Sequence, residues 1–397
     1  MRLIVREDHS SPVTAITACF LGGSRFETRS RQGISYFTQR LAPRGTHLRS
    51  AEQVAEDLEF LGGTFSPFAS KDLFGVSLTL LSRHFSAGLR LMAESLRFPA
   101  FAEVEVDRER RNLLLELARR ADDTLSFALE LSEGVLYRRH PYRFPIRGVE
   151  DSIQRFTPEE LRRWHARTYT PDRMVLAVVG DQRPAEVAET VGEVFHGFQP
   201  SGWSPRAIVA EAPVSARRQR TVRRAKRQAA LALAFLAPRF GTEEADAFEV
   251  LHHLLAGMGS RLFTELRDRL GLGYVVNASL DTRCDSGCFK VFVATRPDQV
   301  RLARRGLLGE LDRIRREPVA TSELMRAKKY MLGLFEISQQ RKATQAFRLA
   351  MCELLGAGYQ AVDDHPRRIR AVTAERVHQV AQRYLTVEHP CVAQVLP

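Results

Sequence analysis

Hydrophobic residues alternate with small or polar residues in some parts of this chain and recur at helical spacing in others. Alternation predicts strands at 11–22, 64–70 and 73–80, where every second side chain would face a core. A nearly continuous apolar run at 173–180 predicts a strand that is buried on both faces. These segments supply the strands of a first sheet.

Helical spacing of apolar residues predicts amphipathic helices between these strands. The helix that follows Ser50 has a favoured N-cap residue, and it stops at Gly62-Gly63, as helices commonly do at glycine. The predicted helices of the first half lie at 33–41, 50–61, 86–96, 103–120 and 151–169.

The same order of elements returns in the second half of the chain. Its strands, helices and Gly-rich turn are predicted at 228–235, 243–255, 257–259, 260–270, 274–282, 287–294, 298–317, 320–341, 373–384 and 391–396. This repetition predicts an internal duplication, with two homologous α+β domains that each contain a mostly antiparallel sheet with helices packed against it. We place the domains at 1–200 and 221–397, joined by a linker at 201–220.

The chain carries a net charge of +12, almost all of it from arginine. Its 397 residues favour two domains, and a content of 44% hydrophobic and 27% charged residues is typical of a globular protein. The arginines are spread along helical segments and mixed with acidic residues, without interleaved aromatic residues. We therefore expect no nucleic-acid partner. A solvated arginine-rich surface is the favoured interpretation, and an acidic protein partner or acidic substrates are the alternative.

Five cysteines are an odd number and too few for a disulfide framework. Cys284 and Cys288 have the spacing of half a metal site, but no second Cys or His pair completes it. No apolar run reaches the ~18 residues of a membrane span, so no membrane partner is expected. Residues 1–8 resemble a strand rather than a signal peptide, which favours a cytoplasmic protein; removal of a leader would instead indicate the periplasm.

The helix at 33–41 presents the residues that bear most on chemistry. Residues at i, i+3 and i+4 share one face of a helix, so Tyr36, Gln39 and Arg40 lie together. An H-x-x-E-H motif would place two zinc-binding histidines and a general-base glutamate on such a face. A guanidinium has no lone pair for a metal, and glutamine cannot take a proton from metal-bound water. We therefore predict that this chain binds no zinc.

The surroundings of this face resemble the pitrilysin/insulinase family of inverted zinc peptidases, whose pattern is Gly-x-x-His-x-x-Glu-His-x-x-x-x-Gly-Thr. Gly33, Gly45 and Thr46 match that pattern. Further matches follow in the family's order at 49–50, 61–63, 70–72, 108–110, 140–142, 169–172, 178–181, 261–263 and 372–375. The resemblance spans nearly the whole chain and implies the duplicated two-domain fold of these peptidases.

The resemblance also implies equivalents for two glutamates of the family's metal site. Glu116 corresponds to the third zinc ligand, and Glu109 to a supporting glutamate two turns earlier. A single carboxylate without the histidines does not bind zinc usefully. We expect Glu116 to pair with Arg40, because an unpaired buried charge is costly. A solvated helix glutamate is the alternative.

In the second half, the segment 261–274 resembles the family's Leu-Arg…Gly-Leu-x-Tyr segment. There an arginine and a tyrosine reach the substrate bound at the zinc-bearing half, and the matching residues are Arg267 and Tyr274. Both can donate hydrogen bonds to carbonyls and to a developing oxyanion. The alternative is an ordinary surface arginine and strand tyrosine. Gly257 and Gly259 resemble the glycine-rich substrate loop of non-catalytic subunits, or simply form a helix-opening turn.

In two-subunit bacterial and mitochondrial members of the family, one subunit holds zinc and its relative supplies the Arg/Tyr pair. The resemblance therefore implies a catalytically silent, substrate-binding subunit that supplies Arg267 and Tyr274 in trans. Zinc is expected in a homologous partner subunit, which would form a heterodimer with this chain. The substrates would be unfolded or short polypeptides. The alternatives are a peptidase-derived structural scaffold and an inactive homodimer that binds peptides.

Overall fold

The computed structural model describes all of residues 1–397 and contains two five-stranded mixed sheets. The first sheet has the order β1-β5-β2-β4-β3, and the second has the order β6-β10-β7-β9-β8. The strands are β1 (Arg2–Glu7), β2 (Val13–Leu21), β3 (Thr64–Ala69), β4 (Leu73–Leu81), β5 (Met174–Gly180), β6 (Arg218–Arg223), β7 (Ala229–Ala237), β8 (Val275–Asp281), β9 (Gly287–Thr295) and β10 (Cys391–Leu396).

The two sheets have the same topology when their strands are counted from the N-terminal end of each. In both, the first strand pairs in parallel with the fifth, and the other pairings are antiparallel. The predicted duplication of α+β domains with mostly antiparallel sheets is therefore confirmed. The central strands β2, β5, β7 and β9 are almost fully buried. This agrees with the nearly continuous apolar sequence of β5, whereas β2 is buried on both faces although its alternating pattern predicts only one buried face.

Helices cover the sheets and supply most of the remaining core. They are α1 (Ile34–Leu41), α2 (Ala51–Phe60), α3 (Phe85–Arg97), α4 (Glu103–Asp122), α5 (Thr124–Leu136), α6 (Glu150–Arg155), α7 (Pro158–Thr168), α8 (Pro184–Val194), α9 (Glu243–Leu255), α10 (Val300–Arg316), α11 (Thr321–Gln339), α12 (Lys342–Leu354), α13 (Ala361–Ala371) and α14 (Ala374–Tyr384). No helix combines the length and the apolar composition that a membrane crossing requires.

Two predicted helices differ from the structure. The segment 151–169 forms α6 and α7 instead of one helix, because Thr157 caps a new helix whose first residue is Pro158. The segment 260–270 is mostly a π-helix, Phe263–Arg269, in which the Leu270 amide donates to the carbonyl of Glu265 five residues earlier.

The chain forms two compact units that are not continuous in sequence. Unit 1 contains the first sheet and unit 2 the second. Their segments are Met1–Leu117, Phe144–Ala207 and Ile337–Val362 for unit 1, and Ala118–Arg143, Ile208–Glu336 and Asp363–Pro397 for unit 2. Within unit 1, α12 packs on β2 and β5, and within unit 2, α5 packs on β7 and β10. Each sheet is thus covered by a helix from the other half of the chain, and β6 begins at Arg218 inside the predicted linker.

Candidate functional site

The N-terminus of α1 is held by a buried carboxylate. Glu27 accepts hydrogen bonds from the backbone amides of Gly33 (2.7 Å) and Ser35 (3.0 Å). Burial raises the pKa of Glu27 to about 7, although these two amides act in the opposite direction. Gly33 has a φ of 86°, and a Cβ there would lie 2.6 Å from the Cα of Gly148. Glycine is therefore required where the chain enters this helix.

Arg40 projects from α1 onto two carboxylates of α4. Its Nη1 donates to Glu116 Oε1 at 2.7 Å, and its Nε forms an ion pair with the nearly buried Glu109. Burial opposes the Arg40 charge, but the Tyr36 hydroxyl and the two carboxylates outweigh it and raise the pKa of Arg40. The structure thus forms the Arg40–Glu116 pair, one of the two roles that the sequence left open for Glu116.

Tyr36 and Gln39 complete this face of α1. The Tyr36 hydroxyl accepts from Arg40 Nη1 at 3.2 Å and lies 3.5 Å from Glu116 Oε2. Gln39 is only 1% exposed, and its side-chain amide donates to the carbonyl of Gly75 on β4 at 3.3 Å. Gln39 therefore serves as a link between helix and sheet within unit 1.

The residues of this face do not fit a zinc ion. Zinc sites are built from neutral imidazoles, thiolates and carboxylates, whereas a guanidinium occupies the space between Glu109 and Glu116 here. The positive charge that a metal would bring to these carboxylates is already supplied by Arg40. Tyr36 and Gln39 are committed to hydrogen bonds within the protein.

Sequence reasoning missed a second arginine in this cluster. Arg147 Nε lies 3.6 Å from Glu116 Oε2, and its guanidinium carbon lies 5.3 Å from the centre of the Tyr36 ring. Two guanidinium groups therefore contact Glu116, that of Arg40 at Oε1 and that of Arg147 at Oε2. Arg147 follows a Pro-containing loop more than a hundred residues after α1, and no local pattern indicated its position.

In unit 2, Arg267 and Tyr274 lie next to each other at the surface. The Arg267 guanidinium carbon is 5.7 Å from the Tyr274 ring centre and 4.7 Å from that of Phe263. Tyr274 is 82% exposed, and no hydrogen bond within the protein engages its hydroxyl. Arg267 is carried by the π-helix, and π-helical turns occur frequently at functional sites.

The Gly-rich turn before this π-helix is also exposed. Gly257 has a φ of 98°, and its amide donates to the Asn277 side chain at 3.3 Å. Met258 is 82% exposed, and neither Gly257 nor Gly259 has an atom near the position of a Cβ. The turn therefore presents an apolar side chain and open backbone on the same unit as Arg267 and Tyr274.

Two other groups of potential metal ligands occur in unit 2. Glu133, Asp281 and Cys288 lie within 4.8 Å of one another, but Arg283 and Lys290 form ion pairs with these carboxylates at 2.8–3.3 Å. Burial raises the pKa of Cys288 to about 12, so its thiol is protonated at neutral pH. The second group is Asp246, Glu249 and His365, where Arg368 pairs with Asp246 at 3.0 Å.

The pair His252-His253 on α9 is structural. Burial lowers the pKa of His252 to about 4, and its Nε2 lies 3.2 Å from the carbonyl of Ala278 on β8. The neutral imidazole thus links the helix to the sheet.

All five cysteines are free thiols.

Both halves of the chain match models of one family of proteins. Residues 2–146 match the model described as Insulinase (Peptidase family M16), and residues 155–331 match the model described as Peptidase M16 inactive domain. The chain belongs to peptidase family M16. The family resemblance inferred from the motifs is therefore confirmed.

Relatives from two bacteria match almost the full length of this chain. The uncharacterized zinc protease YmxG of Bacillus subtilis is 27% identical over 390 residues, which are 98% of this chain and 94% of the relative. An uncharacterized zinc protease of Rickettsia bellii is 24% identical over 366 residues, 91% of this chain and 87% of the relative. These names describe the relatives, and in this chain the face with Tyr36, Gln39 and Arg40 does not fit a zinc ion.

Solved structures of similar proteins share the M16 fold described above. A protease from Helicobacter pylori has a TM-score of 0.92 at 20% identity, with coverage of 100% of this chain and 96% of the other. A peptidase M16 inactive domain from Pseudomonas fluorescens has a TM-score of 0.90 at 23% identity, with coverage of 100% and 95%. The α+β two-domain architecture is therefore the family's fold.

Proposed function

We propose that this chain is a catalytically silent, substrate-binding subunit of a heteromeric M16 zinc endopeptidase. A homologous subunit would hold the zinc, and this chain would contribute Arg267 and Tyr274 to the shared substrate site. The substrates would be unfolded or short polypeptides. The contact of Arg40 with Glu109 and Glu116 is the observation that carries the proposal.

The charge of Arg40 supports a silent role more strongly than a missing ligand alone. A lost histidine leaves a weakened metal site, whereas an arginine between two carboxylates excludes a second cation by repulsion. The neutral Gln39 offers no base for activating water. Hydrolysis that depends on a metal in this chain therefore has no support in these residues.

The surface chemistry of unit 2 supports a substrate-binding role. The Arg267 guanidinium and the free Tyr274 hydroxyl can both donate hydrogen bonds to a peptide carbonyl or to a tetrahedral oxyanion. Their mutual stacking restricts the arginine rotamers, so less conformational entropy is lost on binding. The exposed turn around Met258 adds an apolar contact for an unfolded chain.

The proposal is tested by proteolysis of an unfolded, fluorescently quenched casein. We would measure cleavage by the chain alone, by a zinc-bearing M16 homologue from the same organism alone, and by their mixture. We expect cleavage above the sum of the separate rates only in the mixture, together with stoichiometric zinc in the homologue and not in this chain. Zinc-dependent cleavage by this chain alone would refute the proposal.

Variants of unit 2 test the assigned residues separately. Arg267→Ala and Tyr274→Phe should each lower kcat/KM of the mixture roughly tenfold or more, as loss of an oxyanion donor does. The matched control is Arg269→Ala, which removes an exposed arginine two residues along the same helix that pairs only with Glu265. Equal activity of all three variants would show that the pair has no such role. Peptide binding without cleavage by any mixture would favour the inactive homodimer.

A further inference from the structure

The strand β6 lies in the most strongly basic segment of the chain. Seven of the eleven residues at 217–227 are arginine or lysine, and none is acidic. They are Arg217, Arg218, Arg220, Arg223, Arg224, Lys226 and Arg227. Acidic side chains lie near only two of them, since Glu211 lies 3.5 Å from Arg218 and Asp122 lies 3.1 Å from Lys226. Arg223 Nη1 donates to a main-chain oxygen of Pro397 at 3.4 Å. Strand β6 and the residues beside it therefore carry a large positive charge that nearby carboxylates do not neutralise.

The helix α10 adds further positive charge beside β6. Arg304 Nη1 donates to the side chain of Gln219 at 3.3 Å, and Arg217 donates to the same oxygen at 2.6 Å. Burial, and next the charge of Arg217, lower the pKa of Arg304. Arg301, one turn earlier on α10, is exposed. The guanidinium groups here repel one another in the absence of an anion.

The backbone of β6 is also unpaired along one edge. β6 is the outer strand of the second sheet and pairs only with β10, in parallel. The amides of Arg218 and Arg224 donate to β10 or its flanking residue, so the even-numbered residues face β10. Gln219, Thr221 and Arg223 therefore turn their amides and carbonyls outward, and all three residues are exposed.

We propose that this edge of β6 binds an acidic, extended segment of another polypeptide, which adds to the sheet as a further strand. Outward amides and carbonyls at every second residue match the backbone of a strand, which a nucleic acid does not have. No aromatic residue for base stacking occurs at 217–227. Arg220 and Arg223 are three residues apart, so their side chains lie on opposite faces of the sheet. Carboxylates on either face of the bound segment would therefore meet one of these two arginines.

Protection against aggregation does not account for the charge. Charged side chains do keep edge strands from pairing with other chains. The opposite edge of the same sheet, however, is β8, with the sequence VVNASLD and no basic residue. The two edges face the same hazard, yet only β6 carries the arginines. The inference does not depend on the proposed peptidase role.

The test uses the full chain and a fluorescently labelled ten-residue peptide of alternating Glu and Val. Fluorescence anisotropy measures the binding of the peptide. We expect the peptide to bind, and to bind roughly tenfold more weakly when salt rises from about 50 to 200 mM. The same peptide with Lys in place of Glu should not bind. The same peptide with N-methylated backbone amides should also fail, and equal binding of that peptide would overturn strand addition.

Variants separate charge from backbone pairing. Arg220→Glu with Arg223→Glu should abolish binding, whereas the control pair Arg29→Glu with Arg31→Glu, two exposed arginines of unit 1, should not. Thr221→Pro removes one outward amide and should weaken binding about fivefold relative to Thr221→Val, which keeps it. If the charge-reversal variant does not fold, the double variant with Arg220→Gln and Arg223→Gln repeats the test. Single-stranded DNA and phosphatidylserine vesicles are tested in the same way. The proposal would be overturned if either bound more tightly than the peptide and lost that binding in the Glu or the Gln variants of Arg220 and Arg223.

Discussion

Arg40 of α1 neutralises two carboxylates of α4 that would otherwise repel each other. Glu109 is almost fully buried, and Glu116 is partly buried. Removal of one partner from such a cluster costs more than the net contribution of the pair, because the remaining charges lose their compensation. The stability of unit 1 should therefore depend on this one side chain.

We predict that Arg40→Leu lowers the free energy of unfolding by about 2–4 kcal/mol, a range reduced from that of a fully buried pair because solvent reaches Glu116. Equilibrium unfolding in urea at pH 7 measures the change. Adding Glu109→Gln to Arg40→Leu should recover part of the loss. The control Arg44→Leu removes an exposed arginine one turn later and should change stability little. A loss of similar size in both single variants would contradict the assigned role.

Glu27 should make stability depend on pH in the opposite sense to an ordinary carboxylate. Its pKa rises from 4.5 to about 7 on burial, so the folded protein binds a proton that the unfolded chain has released. The resulting stabilisation is fully present below pH 4.5 and is lost as the pH rises through 7. Glu27→Gln should remove this dependence, worth up to about 3 kcal/mol.

Urea unfolding of wild type and Glu27→Gln from pH 4.5 to 8 measures this difference. The exposed Glu59→Gln is the control and should follow the wild-type profile. Parallel profiles for wild type and Glu27→Gln would show that the Glu27 carboxyl titrates normally in the folded protein.

The residues on the face of α1 that corresponds to the family's metal site could be predicted from the sequence. The residues that contact α1 from loops could not. Tyr36, Gln39 and Arg40 share a face because of helix periodicity, and the family pattern located Glu109 and Glu116. Glu27 reaches the start of α1 and Arg147 reaches this face, both from loops, where no periodic pattern relates sequence position to direction. The substrate role of Arg267 and Tyr274 remains a prediction.

At the level of elements, periodic patterns located every strand except β6 and most of the helices. The helix 243–255 was predicted at its observed bounds, and Ser50 caps α2 through a reciprocal bond with Gln53 as its type suggests. Local patterns did not indicate the π-helix, because an extra residue per turn arises from packing rather than from propensity. They also missed α5, α8, α12 and α13. Of these, α5 and α12 pack on strands that are distant in sequence.

The face of α1 should accept zinc once its donors are changed. The triple variant Tyr36→His, Gln39→Glu and Arg40→His would place two imidazoles at i and i+4 beside Glu116, which gives three ligands and an open position. We expect about one zinc per chain by plasma mass spectrometry after dialysis, and none in the wild type. Adding Glu116→Gln should abolish it. Equal zinc in wild type and triple variant would contradict the assignment of this face.

At the scale of the whole molecule, neither compact unit is formed by one continuous half of the chain. α5 belongs to the first half of the sequence but packs on β7 and β10, and α12 belongs to the second half but packs on β2 and β5. Leu349 and Ala350 of α12 are buried within unit 1. The duplication could be inferred from the repeated sequence patterns. The exchange of α5 and α12 between the two halves could not, because a helix from either half could cover a sheet equally well.

The exchange predicts that neither half of the chain folds alone. The segment 201–210 is irregular and largely exposed, so a protease site inserted after Ser204 should leave the fold intact. The cleaved protein should remain one particle in gel filtration, and co-expressed fragments 1–204 and 205–397 should assemble. Expressed separately, each should aggregate or lack a cooperative thermal transition, since each sheet loses a covering helix. A soluble 1–204 fragment with a cooperative transition would show that α12 is dispensable for the first sheet.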